Sequence, residues 1–458
     1  MGTGSALPGK SANARLSGMK KSLLRLVVVG GVAIGGLAAV VWAVSRDAAP
    51  PDETEFAAVR PEVAPEDNAF TYFLEATNLL VDTTNDALFV DFRMGQAPAS
   101  DELRERVAQN AECLALVKRG TECAICLAPP VETIDTPTPY VTPWLHMIRI
   151  LEARSRLARL DGRFAEAADD LAVGMRFGDL VQKNASSLIT YLVGVAIFSS
   201  SVESALELAR DPAVSPEPLA QLAAELEKTG PFGDGLVLAI QSEQRIACNL
   251  INDLQERQKQ RSLAAHLGFD TNRWTAWMQY TAYSFQPNRT KQAMAVVHHR
   301  LIANTTRIYA DRIWDDSDED GLGRFALLFP NVFGKYLLSI LVPGLDKLTN
   351  TRCRTDGILA GTKLVVACNR FQRDKGNWPD NLQDVVPNYL PEVPRDPYDG
   401  APFRYSAEEG LVWAAGTNLT DEGGSTRVPG SEQEYVASRD RRRAEDCVFE
   451  LRAPEKTE

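Results

Sequence analysis

The sequence predicts a mainly α-helical protein: an N-terminal transmembrane helix, a helical-bundle domain and a small C-terminal α+β module. Three observations carry this reading. Residues 26–45 form an uncharged apolar run, apolar residues recur at three- and four-residue spacing through much of 67–350, and turn-forming residues alternate with short strand-like runs after about residue 375.

The run Leu26–Ser45 is twenty residues rich in Val, Ala, Leu and Gly. At about 1.5 Å of rise per residue it spans a hydrocarbon core of roughly 30 Å. The 1–25 segment ahead of it carries Lys10, Arg15, Lys20, Lys21 and Arg25 and no acid, whereas Asp47, Asp52, Glu53, Glu55, Glu62, Glu66 and Asp67 follow. This asymmetry keeps the basic tail cytoplasmic and places the bulk outside a bacterial inner membrane, in the periplasm. Two readings stay open. The run is an uncleaved signal-anchor, or it is a signal peptide with Ala43 and Ser45 as the small residues at the cleavage site; its length exceeds the usual signal core and favours the anchor. Gly31, Gly35, Ala39 and Ala43 recur every four residues, a small-residue spacing compatible with helix association in a membrane.

The chain of 458 residues is long enough for two or three globular units beyond the anchor. Its net charge is −12; the six basic residues up to Arg46 account for +6, leaving −18 on the part from Asp47 onward. That acidity disfavours binding of the exported part to nucleic acid or anionic lipid. Seven cysteines, at 113, 123, 126, 248, 353, 368 and 447, are too sparse for a disulfide framework. Cys123 and Cys126 form a CxxC outside the strand–helix context of a redox motif, and Cys113 and His146 flank it. A loop of inert or locally paired thiols is expected ahead of redox or zinc chemistry.

Residues 46–66 hold Pro50, Pro51, Pro61 and Pro65 among acids and read as an extended linker. The helical domain is expected over 67–350. Its clearest element is a hairpin over 144–182, with Leu145, Ile148, Leu151, Leu157 and Leu160 before a turn at Asp161–Gly162 and Phe164, Ala168, Leu171 and Met175 after it. The stretch RLARLDGRFAEAADDL resembles one tetratricopeptide-type hairpin, though no second copy follows at the period an array needs. Asn184–Val202 is uncharged but rich in Ser and Thr, and reads as a buried core helix. Phe325–Leu345 is interrupted by Pro330, Lys335 and Pro343, and reads as a helix packed in the fold or lying on a membrane surface.

The last module is expected over 351–430: a helix over about 355–374, turns at Asn377-Trp378-Pro379, Asp396-Pro397 and Asp399-Gly400, and strands at Phe403–Tyr405 and Leu411–Ala414. Residues 431–458, with the run Arg439–Arg443, read as a poorly ordered charged tail. Gly376, Pro379, Leu382, Pro391, Pro394, Asp396, Pro397, Tyr398, Gly400, Tyr405, Trp413, Gly416, Asp421, Gly423 and Gly424 resemble the signature of the soluble end of the type II secretion major pseudopilin. The likeness covers about 65 residues. It implies a pilin-like α+β head whose closing loop can bind calcium through Asn418, Asp421 and Glu422. The anchor lacks the early glutamate of a pilin and lies some 300 residues from this head, which argues against assembly into a filament. As a whole the chain is similar to a group of membrane-anchored envelope proteins of planctomycete-like bacteria.

Familiar catalytic patterns fail on context. Gly4–Ser11 spells a P-loop but has only three residues before it and no strand. Asp316, Asp318, Asp320 and Gly321 begin an EF-hand pattern whose twelfth position is Leu327. His298 and His299 are adjacent and diverge on a helix. Asp396 and Asp399 belong to a turn shaped by Pro397 and Gly400. The expected role is therefore structural or protein-interacting in the cell envelope. An accessory part in a secretion or pseudopilus-like system and an enzyme with a site in the helical domain are the alternatives.

Overall fold

The computed structural model describes residues 28–36, 39–40, 42–57, 60–81, 86–259, 285–313, 330–342, 345 and 347–453. The basic tail, the P-loop-like stretch and the Asp316–Gly321 pattern lie outside these residues. The chain divides into two compact units, one formed by Met1–Pro51, Ile251–Ala293 and Glu319–Ile340, the other by Asp52–Leu250, Met294–Asp318 and Leu341–Glu458.

In the first unit, residues 28–36, 39–40 and 42–44 are helical. Val28, Val29, Val32, Ile34, Val40 and Trp42 are all more than half exposed. Glycines 30, 31, 35 and 36 have nothing within 4 Å of the place a Cβ would occupy. Just beyond, Asp47 caps a second helix: its two carboxylate oxygens accept the backbone N–H groups of Asn288 (2.9 Å) and Arg289 (3.1 Å). The Gln286 and Asn288 side chains donate to the carbonyls of Val44 (2.7 Å) and Ala48 (2.9 Å). Residues 47–49, expected to belong to an extended linker, are thus held by four hydrogen bonds, including Gln292 to Ala49.

The second unit is mainly helical. Helices α1 (Ala69–Leu79), α2 (Asp86–Arg93), α3 (Asp101–Gln109) and α4 (Ala111–Gly120) precede the long hairpin of α5 (Val141–Leu160) and α6 (Phe164–Lys183). The hairpin turns where the sequence places it. Gly162, at φ +75°, lets the amides of Gly162 and Arg163 bond back to Arg159 (3.0 Å) and Ala158 (2.8 Å), a Schellman ending that satisfies two last-turn carbonyls. Arg154 then clamps Asp170 across the pair with two bonds of 2.9 and 2.6 Å.

The run foreseen as a core helix is α7 (Leu188–Arg210), started by the Ser187 side chain accepting the Thr190 amide. It is long and apolar enough to cross a membrane by composition, yet more than half of its apolar window is buried inside the fold. Burial on several sides explains the weak polar face. Tyr191, Val195, Phe198, Val202 and Leu206 enter one core, and Val193 and Ile197 enter another. The second core centres on Trp144, whose ring meets Phe70, Phe73, Tyr140 and Phe177. Helices α6 and α7 approach closest at glycines: a Cβ on Gly178 would overlap the Phe198 amide, and one on Gly194 would overlap Gln182.

Helices α8 (Pro216–Lys228), α9 (Gly233–Lys259), α10 (Pro287–Asn304) and α11 (Val332–Leu341) lead to α12 (Lys347–Lys375). α12 packs against α7, α8 and a three-stranded antiparallel sheet, β1 (Arg404–Ser406), β2 (Leu411–Ala415) and β3 (Asp446–Glu450), with β2 in the middle. Register pairs Arg404 with Trp413 and Trp413 with Val448. The expected strands β1 and β2 are present. The third strand arises inside the segment read as a poorly ordered tail, and all five of its residues are buried. Its short apolar core, Cys447-Val448-Phe449, is flanked by Asp446 and Glu450, so burial on both faces left no alternation to read. Gly361 on α12 leaves room for the Phe449 ring, and a Cβ there would meet it.

The 52–66 stretch also packs in this unit. Phe56 is 5% exposed and sits against His298 and His299, and Arg60 donates to the Ala128 carbonyl at 2.5 Å.

Candidate functional site

The residues expected to hold calcium lie in the loop after β2, which is organised by two other side chains. Asp446, at the start of β3 and fully buried, accepts the amides of Gly424 (2.9 Å), Ser425 (2.9 Å) and Glu422 (3.2 Å). Arg404 on β1 reaches the carboxylates of Asp396 and Asp399 through its two terminal nitrogens and Asp421 at 3.4 Å through Nε. Asp421 Oδ1 already accepts the Trp413 indole N–H (2.9 Å) and the Gly423 amide (3.0 Å), bonds that hold its carboxyl below the usual range. Asn418 is occupied as well: Oδ1 accepts the Thr420 amide and Nδ2 donates to Glu422 (2.7 Å).

Calcium takes about six to eight oxygens. Here Asn418 and Asp421 are committed to hydrogen bonds, and a guanidinium already supplies positive charge to three carboxylates. The residues as arranged do not fit that ion. Asp396 accepts the amides of Tyr398 (2.8 Å) and Ala415 (2.7 Å), so it works as a hub for the turn rather than as half of an acid–base pair. Burial nonetheless raises its carboxyl above the ordinary range.

The CxxC loop is pinned to α1 by Asn68, whose side chain exchanges bonds of 2.8 and 3.0 Å with the Leu127 backbone. All seven cysteines are free thiols. Burial pushes Cys113 up to about 11 and Cys126 higher still, so neither offers a thiolate near neutral pH. Among the described residues no group of three or more His, Cys, Asp or Glu could hold a metal ion. His298 is buried with Nδ1 2.6 Å from Gln244 Oε1, and burial together with His299 lowers it to about 4.

The arrangement with most chemical content was not foreseen. A cleft of about 380 Å³ is lined by Arg93 and Met94 from the end of α2, Arg159 from α5, Glu203, Ser204, Glu207 and Arg210 from α7, and Val436–Arg439 and Ala453 from the C-terminal segment. Behind it, Glu152 is 1% exposed, pairs with Arg93 at 3.0 Å and leaves Oε1 without a partner. Burial raises this carboxyl despite the opposing pull of Arg93. Arg156 (3.1 Å) and Arg159 (3.4 Å) share Glu207, and Arg159 also meets Asp211 at 3.7 Å. On the other wall Glu450 receives Arg210 (3.0 Å), Arg441 (2.9 Å) and the Ser438 hydroxyl (2.6 Å). Burial opposes the charge of Glu450, yet Arg442 and Arg210 hold it below the usual carboxylate range. Arg442 lies 3.3 Å from Glu203 and stacks 4.2 Å over the Phe449 ring.

The cleft draws on four distant stretches, which is why no contiguous motif marks it. One local signal was present: Glu203, Glu207 and Arg210 stand at i, i+4 and i+7 on an otherwise apolar helix, a charged stripe aimed at one place.

Compared with family models, curated proteins and solved structures, the chain matches none.

Proposed function

We propose that this is a bacterial inner-membrane protein, anchored once through residues 26–45, that presents its helical and α+β mass in the periplasm for a structural or protein-interaction role in the envelope. The exposed apolar face of the N-terminal helix carries this reading: six large apolar side chains more than half exposed would be costly in water, and a lipid environment removes that cost. The basic flank before the run and the acidic flank after it support the orientation. The hairpin of α5 and α6 supports a tetratricopeptide-like contact surface.

The test is a topology pair. Alkaline phosphatase fused after residue 453 is expected to be active, and carbonate washing is expected to leave the protein in the membrane fraction. An inactive fusion overturns the orientation, and release by carbonate overturns the anchor.

A second reading, an accessory part of a type II secretion or pseudopilus-like system, is favoured by one observation. A long helix, α12, leads through the short turn Leu382–Val385 into an antiparallel sheet packed on it, the order expected of a pilin-like head. Co-purification with a secretion assembly after cross-linking tests it.

A further inference from the structure

We infer that the cleft between α7 and the C-terminal segment binds the anionic end group of a small ligand, with Arg439 as the charge partner. Its other cations are committed. Arg93 is held by Glu152, Arg159 by Glu207 and Arg210 by Glu450. Arg439 differs: its guanidinium touches the Met94 sulfur at 2.8 Å and makes no direct ion pair among the described residues, its charge being felt only at longer range by the buried Glu152. A guanidinium left at a cleft wall without a carboxylate is a fork of donors suited to a carboxylate or phosphate.

The surroundings fit a small molecule. A volume of about 380 Å³ falls in the range of small-ligand pockets, above that of a water site and below that of a protein groove. Beside Arg439 the lining is apolar, with Met94, Val436 and Ala453, and it takes a short hydrocarbon body. Ser204 adds a neutral hydroxyl to the lining. The fixed pairs do the remaining work. Because Arg442 pairs with Glu203 and Arg156 and Arg159 pair with Glu207, these two acids do not repel an incoming anion as free carboxylates would. The exported part carries −18 overall, so an anion is drawn to this cleft by local placement and not by the protein's general field.

The shared chemistry is an anionic group on an apolar stem, and its source is either a carboxylate or a phosphate. The experiment uses the full chain in detergent micelles and two probes, N-acetylalanine and inorganic phosphate, with N-acetylalanine amide as the uncharged control. Binding is read by ligand-detected NMR. At least one anion is expected to bind at millimolar concentration, the amide not at all. Arg439→Gln is expected to weaken binding about tenfold or more, as loss of a charge-assisted bond requires, and Arg439→Lys to recover part of it. Tighter N-acetylalanine assigns a carboxylate source and tighter phosphate a phosphate source. The proposal is overturned if neither anion binds, if the amide binds as well as the acid, or if Arg439→Gln keeps full affinity. Arg439 pairs with no carboxylate, so an unchanged melting temperature is expected for both variants and separates lost binding from lost fold.

Discussion

Arg210 Nη1 stands 3.0 Å from Glu450 Oε2, and the two side chains, 240 residues apart, join the end of α7 to the last strand. Both are almost wholly buried, so this contact is the electrostatic seam between the helical layer and the sheet. Glu450 also answers Arg441 and Ser438, which makes it the common anion of the group. Glu450→Ala should destabilise the protein by about 3–5 kcal/mol in urea unfolding, because it strands buried cations. Arg210→Met should cost less, since Glu450 keeps Arg441. Equal or smaller loss for Glu450→Ala would show that the seam is held by packing alone. The acid dependence has a definite sign: the Glu450 pKa is depressed in the folded state, so its contribution is present above the ordinary glutamate range and is lost as pH falls through the folded value.

His298 supplies a second pH dependence over a different window. Its folded value of about 4 lies below the ordinary 6.5, so the unfolded chain takes up a proton first as pH falls. Stability should be complete above about pH 6.5 and decline toward pH 4, by roughly 3 kcal/mol in total. His298→Gln should flatten that limb of the melting-temperature profile by close to one proton. A wild-type profile level between pH 6.5 and 4 would exclude the effect.

The crossing of α6 and α7 rests on glycine. Gly178→Ala places a methyl against the Phe198 backbone, which cannot rotate away. A loss of about 1–3 kcal/mol, or more, is expected in thermal or urea unfolding. Gly162→Ala, at a positive φ with open space around it, should act through backbone strain alone and cost about 1 kcal/mol. If the two variants melt together, the close approach of the helices is not limiting.

Arg404 predicts a cation swap. Wild-type protein should show no melting shift with millimolar calcium, because the guanidinium occupies the place among Asp396, Asp399 and Asp421. Arg404→Ala leaves three carboxylates facing one another and should be strongly destabilised, with calcium restoring part of the loss. A calcium shift in the wild type that disappears in Asp421→Ala would instead put the ion in the closing loop.

Much of this fold could be read from residues alone where one face of an element is apolar and its ends carry punctuation. The α5–α6 hairpin announced its turn through Asp161-Gly162, and β1 and β2 through the turns around them. The strand β3 escaped because Arg439–Arg443 dominates its neighbourhood and because a strand buried on both faces shows no period of two. The Asp-rich closing loop was legible as a cluster of oxygens but not as an arginine site: Arg404 lies close to Asp396 and Asp399 in sequence, yet spacing alone does not say that its guanidinium joins both to Asp421 across the sheet edge. The cleft was illegible for a related reason: Arg93, Glu152, Glu207 and Arg439 converge only after α2, α5, α7 and the C-terminal segment have packed.

The placement of β3 has a consequence for biosynthesis. Helix α12 and strand β2 present apolar surface that stays uncovered until residues 446–450, the last strand of the second unit, have been made. A translation product clipped before residue 446 would leave that surface bare and is expected to aggregate or be degraded.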